Sequence, residues 1–169
     1  PLLLKSTLAA LDAKYSHVVV VLGAHADMHK KTIAHLPVEI LTHTEWEKGM
    51  GSSLKKGLRH IITSRPDTNV VVVMVCDQPL ITSVHLASLR DAHKKTSHQI
   101  VASRYENTIG VPALFERTLF SRMLELKDSQ GAKVIIERQA TSLTTIDWAE
   151  GRFDIDTPED LKLLNSQLG

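Results

Sequence analysis

Runs of apolar residues alternate with amphipathic stretches along the whole chain, and the two periods they carry assign most of its elements. Short, continuous, β-branched runs predict strands buried on both faces. They occur at residues 17–22, ending at Gly23, and at 70–76, the most hydrophobic run of the chain, and a further short strand is expected at 38–42 after Pro37. Between them, helical periodicity predicts helices over 3–13, 24–34, 54–63 and 82–95, the last with Thr82 as its N-cap. Shorter segments follow: strands at 100–103, 111–115 and 142–146, helices at 118–126 and 132–139, and a final helix opening at Pro158 behind Thr157.

Strands alternating with helices imply right-handed crossovers and a mainly parallel sheet covered on both faces. The expected architecture is a Rossmann-like three-layer α/β/α sandwich, a single domain over 1–169. The irregular stretch 105–109 and the paired short helices after it predict a departure in the second half, with an antiparallel strand. The chain opens on a helix, whereas nucleotide-binding α/β domains open on a strand and a phosphate-binding turn.

Composition narrows the function classes. Hydrophobic residues make up 43% and charged residues 23% of 169, which is ordinary globular usage. A net charge of +1 argues against a general nucleic-acid or membrane-surface binder. No apolar stretch reaches the length of a membrane span, and a single cysteine, Cys76, fits a reducing, cytoplasmic setting and a packing role inside its apolar run. The nine histidines lack metal-ligand spacing; His25 and His29 share a helix face that reads as solvated.

Candidate chemistry concentrates where elements change. Asp77 is the first acidic residue after the run 70–76, at the carboxyl end of the expected central strand, where open α/β sheets place their ligands. It reads either as a ligand to a metal or phosphate or as a cap of the following turn. Gly49-Met50-Gly51-Ser52-Ser53-Leu54 sets glycines and hydroxyls at the start of a helix, either as a phosphate or ribose cradle or as an ordinary cap. Asp156, just before Pro158, lies at another element boundary, while Asp154, Glu159 and Asp160 read as solvated or dipole-matching charges. Asp77 and Asp156 together could hold one hard cation such as Mg2+ along with substrate phosphates.

Five segments taken together resemble a known family: Gly49-Met50-Gly51-Ser52-Ser53-Leu54, Cys76-Asp77-Gln78-Pro79-Leu80, Gly110-Val111-Pro112-Ala113-Leu114-Phe115, Gln130-Gly131-Ala132-Lys133 and Asp154-Ile155-Asp156-Thr157-Pro158-Glu159-Asp160-Leu161. In this order they are similar to the molybdenum-cofactor nucleotidyltransferases, most closely the molybdopterin cytidylyltransferase branch. The resemblance implies a catalytic, Mg2+-binding pair at Asp77 and Asp156. It also implies a nucleotide-facing loop at Gly49, Gly51, Ser52 and Ser53, and pterin-facing positions at Gly110, Pro112 and Lys133. The implied substrates are CTP and molybdopterin, and the implied recipient of the product is a xanthine dehydrogenase-type molybdoenzyme.

Two departures stand out. The family's opening strand and glycine-rich triphosphate loop have no counterpart here, and Pro1-Leu2-Leu3-Leu4 resembles the segment just after that loop. The expectation is that this strand and loop lie upstream of Pro1, because losing a central strand would expose its neighbours' edges; Lys5 is not taken as the loop's lysine. Val111 stands where relatives often carry a polar residue. A related transferase using GTP or a sugar phosphate is the alternative within the enzyme class, and a non-catalytic molybdopterin carrier the alternative outside it.

Overall fold

The computed structural model describes residues 1–139 and 142–153. The first half of the chain alternates as its periodicity predicts: α1 (Leu2–Asp12), β1 (Val19–Leu22), α2 (Ala26–Ile33), β2 (Glu39–Thr42), α3 (Met50–Ser64), β3 (Val70–Val73) and α4 (Ser83–Lys95). Thr82 caps α4, its hydroxyl oxygen accepting from the His85 amide at 3.2 Å. The second half holds a hairpin of β4 (Ile100–Tyr105) and β5 (Thr108–Glu116), the short helices α5 (Phe120–Leu124) and α6 (Lys133–Arg138), and β6 (Leu143–Asp147). The helix expected from Pro158 lies outside the described residues.

β1 and β2 pair in parallel, and the other strands form a four-stranded sheet in the order β3-β5-β4-β6. β5 is antiparallel to β3 and to β4, while β4 and β6 are parallel, so β3, β4 and β6 point one way and β5 opposes them. This is the antiparallel strand anticipated for the second half.

Side-chain alternation along the strands divides the core in two. Val71, Ile100, Ala102, Ala113 and Phe115 face one cluster with Leu58 of α3, Phe120 and Met123 of α5, and Ile135 and Ile136 of α6. Val101 and Leu114 face the opposite cluster, with Ala9 and Ala10 of α1 and Leu86 and Leu89 of α4. The result is a mixed α/β sandwich with helices on both faces. On one face α3 also reaches β1, since a Cβ at Gly57 would lie 3.0 Å from the Val21 side chain. On the other, α1 shares its cluster with Val18, beside β1, and with Val70 and Val72 of β3.

The central run behaves differently from its sequence reading. The ladder ends at Val73, and of β3 only Val71 is fully buried. Val73 pairs with Ala113, and just beyond it the β4–β5 register shifts, so that Val111 and Pro112 depart from regular pairing. Residues 74–76 therefore leave the sheet, and Cys76 is exposed rather than packed in the core.

Candidate active site

The strand directions bring the ends of β3, β4 and β6 and the start of β5 to one rim. Asp77 follows β3 there, half-buried, with Oδ1 shielded from solvent. Opposite it the β4–β5 ladder is interrupted: Ala102 pairs with Ala113, but Ser103 pairs with Gly110, so Val111 and Pro112 bulge from β5. Side chains from β4 and from the turn after β3 hold the bulge. Gln78 Nε2 and the Tyr105 hydroxyl each donate to the Val111 carbonyl at 3.3 Å, and the Ser103 hydroxyl donates to the Pro112 carbonyl at 2.6 Å.

Behind Ser103 stands His85. Because the Ser103 proton is committed to Pro112, the 2.8 Å contact is an Nε2–H of His85 donating to Ser103 Oγ. The imidazole stacks on Trp148 with ring centroids 4.7 Å apart and planes 21° from parallel. Burial pushes the His85 pKa below the usual histidine value, opposed by the charge of Glu150, so the ring is held neutral.

The Gly-Met-Gly-Ser-Ser segment is built against the chain itself. Gly49 has φ +119, and a Cβ there would fall 2.5 Å from the Asp128 carbonyl; a Cβ on Gly51 would fall 2.4 Å from the carbonyls of Lys127 and Gln130. Only glycine permits this approach. The Gly51 and Ser52 amides both donate to the Asp128 carbonyl, at 2.8 and 3.3 Å. Ser52 is buried, donating to the Gly49 carbonyl at 2.7 Å with His43 Nε2 at 2.9 Å from its oxygen.

These contacts show what the two glycines and Ser52 meet within the chain. The glycines admit the backbone of 127–130, and the hydroxyl and amide of Ser52 are engaged within the protein. Ser53 differs: it is half-buried, and its hydroxyl makes no hydrogen bond among the described residues. A Cβ on Gly131 would lie 2.5 Å from Met50 Sδ, so the Gly-Met-Gly and Gln-Gly-Ala-Lys segments touch, with Lys133 exposed at the start of α6.

The structure thus joins the 49–53 segment to 127–131, and separately joins the Asp77–Gln78 turn to the Gly110–Pro112 bulge. Asp156 lies outside the described residues. Among the described residues no group of three or more His, Cys, Asp or Glu side chains is arranged to hold a metal ion. His43, His85, Ser103, Asp128 and Trp148 carry no periodic or motif signal that would have singled them out, because each acts through partners distant in sequence.

A three-layer α/β domain with a carboxylate at the carboxyl rim of its sheet and these motifs along it has the make-up of a nucleotidyltransferase. The chain matches the MobA-like NTP transferase domain over residues 1–143 and belongs to that family. Its fold is similar to that of Rv0371c from Mycobacterium tuberculosis H37Rv (TM-score 0.82, 21% identity, covering 98% of this chain and 84% of that one), which has also been crystallised in complex with manganese. It is similar as well to the 4-diphosphocytidyl-2C-methyl-D-erythritol synthase of Anaerococcus prevotii (TM-score 0.76, 14% identity, 99% and 85% covered). A third similar fold is molybdopterin-guanine dinucleotide biosynthesis protein A of Archaeoglobus fulgidus (TM-score 0.67, 15% identity, 98% and 85% covered). No curated protein matches the chain.

Proposed function

We propose that this nucleotidyltransferase-family protein transfers CMP from CTP to molybdopterin in a Mg2+-dependent reaction in the cytoplasm, supplying a xanthine dehydrogenase-type molybdoenzyme. The observation that carries the reading is the hydrogen bond from Gln78 to the Val111 carbonyl. It ties the turn bearing Asp77 to the Gly-Val-Pro bulge, so that the acidic residue and the segment assigned to the pterin share one rim.

In the proposed reaction a terminal phosphate oxygen of molybdopterin bonds to the α-phosphorus of CTP, the α–β bridging P–O bond breaks, and pyrophosphate leaves. Such a transfer needs positioning and charge neutralisation more than a protein nucleophile. Asp77 offers the hard oxygen donor a divalent cation takes, and the remaining positions would be filled by Asp156, substrate oxygens and water. Such a cation would neutralise charge on the phosphates. Ser53, whose hydroxyl makes no hydrogen bond among the described residues, is the residue of the 49–53 segment that would donate to the nucleotide. Gly110 and Pro112 shape the acceptor side, and Lys133, exposed beside the 49–51 loop, would meet acceptor charge.

The domain reading belongs to the same proposal. Among the described residues β1 pairs only with β2 and β3 only with β5, while α3 reaches both, with Gly57 against Val21 and Leu58 in the cluster that holds Val71. This helix thus bridges a place in the sheet that a further strand, with its phosphate loop, would fill. Reading the encoded residues upstream of Pro1 tests this directly.

The decisive assay is pyrophosphate release by the protein with molybdopterin, Mg2+ and each nucleotide in turn. CTP is expected to give the highest rate, and Asp77→Asn to lower it about 100-fold or more. A preference for GTP would overturn the base assignment. Tight molybdopterin binding without pyrophosphate release from any nucleotide would overturn transfer in favour of a carrier.

A further inference from the structure

A cleft of about 790 Å3 runs between β2 and α3, and neither Asp77, Gln78 nor the Val111–Pro112 bulge lines it. Its volume suits a small molecule rather than a single ordered ion. Lys48, Lys55, Lys56 and Arg59 line it against only two carboxylates, Glu45 and Asp128. The cleft alone therefore carries a larger positive excess than the whole chain, whose net charge is +1.

Part of this charge is neutralised internally. Lys48 pairs with Glu45, and Lys55 reaches Asp128 at 2.6 Å and the Leu126 carbonyl at 2.7 Å. Lys56 and Arg59 are exposed and form no ion pair among the described residues. Residues 50–64, which form α3, contain no Asp or Glu. Lys55 and Arg59, four residues apart on one face, repel each other, and Asp128, from outside the helix, offsets part of that repulsion. An anion seated in the cleft would relieve that repulsion. The floor is polar and fixed: buried His43 is held against Ser52, and His60 lines the wall with Nε2 on Glu39 at 2.7 Å.

We propose that this cleft is a second ligand site, separate from the Asp77 rim, for a small multiply charged phosphate compound. Arg59 supplies a planar fork suited to phosphate oxygens, and Lys56, backed by Lys55, supplies ammonium donors. The site does not depend on nucleotidyl transfer, so its failure would leave the reading of the Asp77 rim intact.

The test is a titration of the protein at low ionic strength with tripolyphosphate, followed by NMR of backbone amides and histidine rings. Expected are shifts confined to the cleft lining, residues 41–48, 52–63 and 128, and to the rings of His43 and His60, and an affinity that falls as salt is added. Lys56→Glu combined with Arg59→Glu, both at exposed positions, is expected to weaken binding about tenfold or more while Asp77→Asn leaves it unchanged. Unaltered affinity in the double variant, shifts located at the Asp77 rim instead, or no binding at about 10 mM tripolyphosphate would overturn the proposal.

Discussion

Gly51 shows how one residue type carries two meanings. Its place in Gly-Met-Gly-Ser-Ser marks it as a position of close approach, yet what approaches is the chain's own backbone at Lys127 and Gln130. Gly51→Ala is therefore expected to destabilise the fold by about 1–3 kcal/mol, since carbonyls cannot swing aside as a flexible side chain can, and chemical denaturation measures it. The type of residue was legible in the sequence; its neighbour was not, because local spacing carries no information about a contact with a segment so distant along the chain. The same holds for His85, an unremarkable helix residue until Ser103 and Trp148 close around it. Its depressed pKa gives a signed expectation. Unfolded, the ring takes a proton near about pH 6.5; folded, it resists until lower pH. The stability it contributes is complete above the unfolded value and is lost as pH falls from there toward the folded one. Melting temperatures are expected to fall across that window in the parent protein and to fall less in His85→Gln. Ser103→Ala would strip the buried Pro112 carbonyl of its donor, at a cost of about 1–3 kcal/mol.

Elements were legible to the extent that their own residues decide them. The first helices and strands follow apolar periodicity closely, and Thr82 caps α4 by the chemistry that predicted it. The run 70–76 shows the limit: its five valines favour a strand, but the bulge at Val111–Pro112 on the neighbouring strand ends the regular ladder at Val73 and leaves Cys76 in solvent. A bulge's effect on the partner strand cannot be read before the partner is known. β5 organises both cores, sending Phe115 to one face and Leu114 to the other. Phe115→Ala is expected to cost about 3–5 kcal/mol, against about 2–5 for Leu114→Ala, and since the residues face different clusters the double variant should be near additive in denaturant melts. A large coupling would mean that the two cores are not independent.

Across the whole molecule, family membership and the fold were legible, the first from short segments in a shared order and the second from the alternation of strands and helices. The cleft beside α3 was not, because its lining gathers residues from β2, α3 and the 127–130 loop. The strand order also bears on how the protein is made. β3 finds its ladder partner forty residues further along, where Val73 meets Ala113. A ribosome that has released α1 through α4 has delivered an apolar strand whose partner is still inside the exit tunnel, so the nascent chain has a defined interval in which a chaperone, or a second nascent chain, can reach that edge first.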